Sequence, residues 1–171
     1  GGRTPSRAKA GGERDAEARV RDLGRRSGLF QAELADERAP GALGPAARGA
    51  LGSIDVWINN AGAGILTGPA ASLSSVAKMD LLLAVDLRGT IIASWRAAEM
   101  LSAQPGGGVI INVSWDHVLT GMAGTNPQLF AAAKGGVLAF SKSLARSVAP
   151  RVRVNVIAPG WIETSFGAGM D

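Results

Sequence analysis

Asp116 and His117 stand side by side just after an apolar, β-branched run, Val109-Ile110-Ile111-Asn112-Val113, and His117 is the one histidine in 171 residues. Imidazole titrates near neutrality, so a histidine at such a strand end can supply a proton; the alternative is a solvated loop side chain. Asp86 and Lys134 form a second candidate pair. Buried together, each keeps the other charged, and the pair either holds a ligand or fixes two helices. Ser114 precedes Trp115, and strand alternation turns the two side chains opposite ways. The chain has no cysteine, so thiolate and disulfide chemistry are out, and a lone histidine makes a zinc site improbable. No metal is expected.

The elements that must position these residues form a strand–helix–strand unit. Val109 to Val113 reads as a strand buried on both faces, as in a parallel sheet. A loop with Gly121, Gly124 and Asn126-Pro127 follows. Gln128 to Ser147 then carries Phe130, Val137, Leu138, Phe140 and Leu144 near helical spacing, and Pro150 stops it. A second buried strand, Val152 to Ile157, runs into Pro159-Gly160. Such a crossover is a βαβ unit.

Upstream, residues 1–12 read as loop or disorder. Glu13 to Arg26 is a charged helix closed by Gly24 or Gly28. Leu29 to Leu34 reads as a short strand, and 40–51 as weakly helical. Ile54 to Ile58 is a strand. Ser72 to Leu101 is a long apolar helix capped by Ser72 or Ser74, with Gly89 inside it where close packing is expected.

Three landmarks fall at the edges of these elements in order. Asn59-Asn60-Ala61-Gly62 ends a strand, Lys134 lies near the start of a helix, and Pro159-Gly160-Trp161-Ile162-Glu163-Thr164 follows a strand. Together they resemble the NNAG, YxxxK and PGxIxT motifs of the short-chain dehydrogenase/reductase family. The resemblance covers residues 28–164 and implies one Rossmann-like domain over 1–171, an α/β doubly wound parallel sheet that binds NAD(P). It implies cofactor contacts from Glu33 and Leu34 near the adenine, and from Asn60, Ala61 and Gly62 beside the adenosine ribose. Lys134 would contact a ribose, and Pro159, Gly160, Ile162 and Thr164 the nicotinamide. Arg3 resembles the end of the family's second strand and gives NADP a slight preference.

The departures are as informative as the matches. The family's acid/base tyrosine is replaced by Phe130, and the chain has no tyrosine at all. A benzene ring carries no exchangeable proton, so the usual step is excluded at that position. Trp115 stands where the family has its serine, with Ser114 before it, and Asp86 stands at its asparagine. No Gly-rich phosphate turn precedes Asn59. The resemblance therefore lacks the family's first strands and its C-terminal end, and the strand beside them is left with a bare apolar edge. The expected function is an NAD(P)-dependent oxidoreductase acting on a small alcohol or carbonyl, with Lys134 and His117 as candidate groups. The alternatives are a catalytically silent cofactor-binding or interaction subunit, or a chain that binds no dinucleotide.

Charge and composition bound the rest. The net charge is +4 and the pI about 10.3, but the N-terminal arginines alternate with Glu13, Asp15, Glu17 and Asp22. That pattern suits a solvated helix face better than a nucleic-acid stripe. No apolar run reaches membrane-spanning length and no signal peptide is visible, which makes the cytoplasm the default location. The family resemblance places subunit contacts on the 72–101 and 128–148 helices. Gly135-Gly136 suits close helix contact, so a homo-oligomer is expected.

Overall fold

The computed structural model describes residues 7–36 and 38–160. Strands β1 (Val56–Asn59), β2 (Gly108–Val113) and β3 (Val152–Ile157) form one sheet in the order β1-β2-β3. Both pairings are parallel, with Trp57 opposite Ile110 and Ile110 opposite Val154. The helices are α1 (Arg7–Asp22), α2 (Ala39–Leu51), α3 (Ser75–Leu82), α4 (Thr90–Ser102) and α5 (Thr125–Val148). A wide-turn π segment, Leu83–Gly89, joins α3 to α4, so the long helix expected over 72–101 is one rod with a swelling in it. Its cap is Ser74, whose hydroxyl accepts the Ala77 N–H at 3.2 Å.

The main core lies between α4, α5 and one face of the sheet. Trp57, Ile110 and Val152 meet Ala93, Ala97, Leu101 and Leu144 there. The alanines of α4 lack the bulk that would hold the helix off the sheet. Gly89 allows a similar approach, since a side chain there would meet the Leu34 carbonyl at 3.0 Å. Gly136 is filled the same way, by Leu87 of this chain. The glycine pair of α5 thus admits side chains of this chain, Val118 at Gly135 and Leu87 at Gly136.

Inside this apolar layer runs a polar thread. Trp57 Nε1 donates to Asn59 Oδ1 at 2.8 Å, and Asn59 Nδ2 donates to Ser94 Oγ at 3.0 Å and Asn112 Oδ1 at 2.8 Å. Asn112 Nδ2 donates to Ser141 Oγ at 2.8 Å, and the Ser141 hydroxyl donates to the Val137 carbonyl. Asn112, Ser94 and Ser141 are buried, and among the described residues no buried side-chain polar atom is left without a partner. A satisfied network of this kind fixes the register of β1 against β2, because a slip of one residue would strand every member.

Several expectations are corrected. β3 is covered on one face only, with Arg153, Asn155 and Ile157 exposed on the other, while in β2 Val109, Ile111 and Val113 are half-buried. Leu29 to Leu34 is not a strand. It is tacked to the helical layer instead, with Arg88 donating to the Ala35 carbonyl at 3.3 Å and Leu34 lying over Gly89. β1 keeps a bare edge among the described residues. Residues 7–12 are helical, not loop: Arg7 to Ala10 are good helix formers and the helix continues through Gly11 and Gly12, and α1 closes at Gly24, whose φ is +71°. α2 is a full helix, with Pro40 in the first turn where its missing N–H costs nothing.

At the opposite end of the strands from the chemistry, Gln104 Nε2 donates to the Ile54 and Gly107 carbonyls, and Arg151 donates to the Gln104 carbonyl at 2.6 Å. Gly107 has φ +66°, and a methyl group on it would collide with the Arg151 carbonyl oxygen. Gly107→Ala should therefore cost at least about 2 kcal/mol, from the left-handed backbone and the collision together. A fall in the urea unfolding midpoint is the expected result; an unchanged midpoint would mean the turn rebuilds freely.

Candidate functional site at the carboxyl ends of the strands

In an open parallel α/β sheet, ligands sit beyond the carboxyl ends of the strands. The chain leaving β1 there is Asn60 to Ala63, that leaving β2 is Ser114 to Val118, and that leaving β3 is Ala158 to Gly160. The π segment brings Asp86 into this region, and α5 brings Phe130 and Lys134, one turn apart on one helix face. Wide helical turns are often found at functional sites.

Asp86 is 1% exposed, and its Oδ2 lies 3.1 Å from Lys134 Nζ. Its Oδ1 accepts the Ala63 N–H at 2.7 Å, and a side chain at Gly62 would meet Oδ2 at 3.0 Å. Lys134 Nζ also donates to the Val113 carbonyl at 3.2 Å. The pair thus ties the turn after β1, the π segment, the end of β2 and α5 at one point. Ser114 faces the other way, as alternation requires: its hydroxyl is buried and donates to the Lys134 carbonyl at 2.8 Å. Its one hydrogen is thereby spent on α5.

Three rings line the neighbouring surface. Trp115 stacks on His117 at 5.0 Å with 14° between the planes, and lies 6.3 Å from Phe130. Phe130 packs on a small second core of Ile65, Leu82 and Ala133. Asp116 Oδ1 accepts the His117 backbone N–H at 2.8 Å and sits 2.7 Å from its Nδ1. The Asp116 N–H donates to the Pro159 carbonyl at 3.3 Å, and a side chain at Gly160 would meet Asp116 Oδ2 at 2.7 Å. Pro159 and Gly160 thereby join the site through Asp116.

Lys134, Asp86, Gly62, Trp115, His117, Phe130, Pro159 and Gly160 are therefore gathered as expected. Asn60 and Ala61 are exposed on the turn beside them. Glu33 turns its carboxylate to the Ala35 N–H at 3.3 Å. Arg3, Ile162 and Thr164 lie outside the described residues. Ala63 and the polar thread of Ser94, Asn112 and Ser141 were not legible as parts of the design, although a single Asn inside a β-branched run is a signal of a buried polar contact. Among the described residues no cluster of metal-ligating side chains exists, and no helix is long and apolar enough to cross a membrane. A groove of about 680 Å³ lies elsewhere, between α2 and α4, lined by Gly44, Trp57, Arg96 and Met100 and by none of these site residues.

This geometry finds its counterpart among known proteins. The family model described as enoyl-(acyl carrier protein) reductase matches residues 6–171. The chain belongs to the short-chain dehydrogenase/reductase family of oxidoreductases. It is 33% identical to cis-4-hydroxycyclohexanecarboxylate dehydrogenase of Sinomonas cyclohexanicum, over 94% of this chain and 64% of that one. It is 30% identical to 3beta-hydroxysteroid dehydrogenase 1 of Eggerthella lenta, over 92% of this chain and 59% of that one. A crystal structure of a short-chain alcohol dehydrogenase from Sinorhizobium meliloti 1021 superposes with a TM-score of 0.80 at 28% identity, over 92% of this chain and 61% of that one. A metagenomic short-chain oxidoreductase in complex with NADP gives 0.73 at 28% identity, over 88% and 67%. The chain spans about 60% of the length of the curated relatives it matches.

Gly62 and Gly160 present bare backbone to the Asp86 and Asp116 carboxylates, which fill the space a side chain would take. The residues present fit a dinucleotide at Lys134. The Lys134 ammonium has three hydrogens, of which Asp86 and Val113 engage two, leaving one for a ligand hydroxyl.

Removing Lys134 would leave Asp86 buried with a single backbone N–H. Lys134→Ala should cost about 3–5 kcal/mol, and Lys134→Ala with Asp86→Asn less than that, since the stranded charge is gone. Urea unfolding of the single and double variants checks this; equal losses would mean the pair carries no buried charge.

Proposed function

We propose that this protein is an NAD(P)-dependent oxidoreductase that interconverts a secondary alcohol on an aliphatic ring and the corresponding ketone. The observation that carries the reading is the Lys134 ammonium, held by Asp86 and the Val113 carbonyl with one hydrogen left at the carboxyl end of the sheet. A bound nicotinamide dinucleotide would supply or take up hydride. Asn60, Ala61 and Gly62 would hold its adenosine side, Lys134 a ribose, and Pro159 and Gly160, with Ile162 and Thr164, its nicotinamide.

NADP is preferred on Arg3 and on the similar metagenomic enzyme that holds NADP. The ring-alcohol class is supported by two relatives, whose names each carry a hydroxyl on an aliphatic ring. The aromatic surface of Trp115 and Phe130 suits such a substrate, because an apolar ring loses little on leaving water to meet it. Homo-oligomerisation through the 72–101 and 128–148 helices is supported by apolar side chains exposed on the first of them, Val76 at 63% and Trp95 at 52%. Nucleic acid and membrane are not partners on this reading, and the place of work is the cytoplasm.

A second reading has its own observation. Phe130 offers no proton where the family has tyrosine, which favours a catalytically silent cofactor-binding or interaction subunit. The two share cofactor binding and part at turnover.

Titration of the chain with NADPH and NADH, followed through its four tryptophans, should give saturable quenching, tighter with NADPH. With cyclohexanone as substrate, NADPH should then be consumed, and Phe130→Tyr should raise the rate. A folded chain that binds neither dinucleotide would overturn both readings; binding without turnover, even in Phe130→Tyr, would leave the silent subunit.

A further inference from the structure

We infer that His117, held by Asp116 and stacked on Trp115, is the proton donor and acceptor that stands in for the missing tyrosine hydroxyl. The inference rests on the oxidoreductase reading and assigns the one group that reading lacks.

The argument begins with what the imidazole touches. Asp116 Oδ1 lies 2.7 Å from Nδ1, within range of a charge-assisted hydrogen bond. A carboxylate only accepts, so the proton of the neutral ring belongs on Nδ1 and the lone pair on Nε2. The same Oδ1 accepts the His117 backbone N–H at 2.8 Å, which keeps carboxylate and ring in one short turn. Asp116 is itself tied to the end of β3 through its N–H and the Pro159 carbonyl. The Trp115 indole, parallel to the imidazole at 5.0 Å, restrains ring rotation. A base oriented by a carboxylate through its second nitrogen is the arrangement that nucleophile–base–acid constellations use.

Trp115 touches both rings, with His117 at 5.0 Å and Phe130 at 6.3 Å between centroids, so the imidazole stands one ring away from the side chain at the tyrosine position. His117 is 30% exposed at its side chain, open enough to exchange protons with water. The charged groups around this end of the sheet are Asp116 on the same turn, and Lys134 of α5 paired with Asp86 of the π segment. Lys134 is held by Asp86 and the Val113 carbonyl, and Asp116 is the carboxylate bonded to His117.

In the reducing direction, with hydride supplied to the carbonyl carbon by a bound reduced dinucleotide, imidazolium Nε2–H would give its proton to the carbonyl oxygen, leaving the alcohol and neutral His117, which water would reprotonate. In the oxidising direction, neutral Nε2 would take the hydroxyl proton, the hydride being taken up by a bound oxidised dinucleotide. Asp116 is a positioning residue throughout.

Because the chain has a single histidine, long-range proton–nitrogen NMR reads this ring alone. In the neutral form the proton should reside on Nδ1, and in Asp116→Ala it should move to Nε2. Cyclohexanol should perturb the Nε2 resonance of the wild type. An Nε2–H tautomer in the wild type, or no response to cyclohexanol, overturns the inference even if no dinucleotide binds, a result that would separately sink the oxidoreductase reading. With NADPH and cyclohexanone, His117→Gln should lower kcat about 100-fold or more with NADPH affinity unchanged. Adding Phe130→Tyr to His117→Gln should restore at least about tenfold of that, since a hydroxyl returns beside Trp115. Retained turnover in His117→Gln overturns the role.

Discussion

The pairing of Lys134 with Asp86 is the contact on which the site depends. A carboxylate that is 1% exposed gives up most of its hydration, at a cost of several kcal/mol, and must recover it from partners fixed in place. Those partners come from two other parts of the chain, the Ala63 N–H after β1 and the ammonium from α5. The ammonium is anchored in turn by the last carbonyl of β2. None can move far without exposing the others' unmet charge. The strand ends, the π segment and α5 are thus held at fixed distances by electrostatics, in a region that apolar packing alone would leave loose.

Around that anchor the sheet follows a division of labour common in α/β proteins. The lower part of its covered face is apolar, with Trp57, Ile110 and Val152 against the alanines of α4. The upper part is polar but fully satisfied, with Asn59 and Asn112 bonded to serines from α4 and α5. The polar thread specifies register, where a wholly apolar layer would tolerate slippage. Register matters because it sets the height of the three strand ends from which Asn60, Ser114 and Ala158 depart.

Phe130 packs with Leu82 and Ala133 in a small second core, and Trp115 lies 6.3 Å from it. Trp115 in turn stacks on His117, whose imidazole is held by Asp116. An aromatic surface thus stands beside one oriented imidazole at the carboxyl ends of the strands.

The sequence by itself determined the parallel core of this fold and the strand ends at which the candidate residues gather. Val109 to Val113 and Val152 to Ile157 carry their strand periodicity locally, Lys134 and Phe130 share a face by helical spacing alone, and the Asn59 turn and Pro159-Gly160 mark strand ends in any context. Tertiary structure decided what depends on partners. Leu29 to Leu34 has strand composition, but its anchors lie on the helical layer, so it never joins the sheet. β3 reads as buried on both faces, yet Arg153, Asn155 and Ile157 are exposed, since exposure is set by which helices arrive. That Asp86 pairs with Lys134, that Ser114 serves α5, and that Asp116 fixes the imidazole of His117 all required long-range geometry. Side-chain periodicity is written in neighbours along the chain; charge pairing is decided by what the fold brings within about 4 Å, which local pattern does not encode.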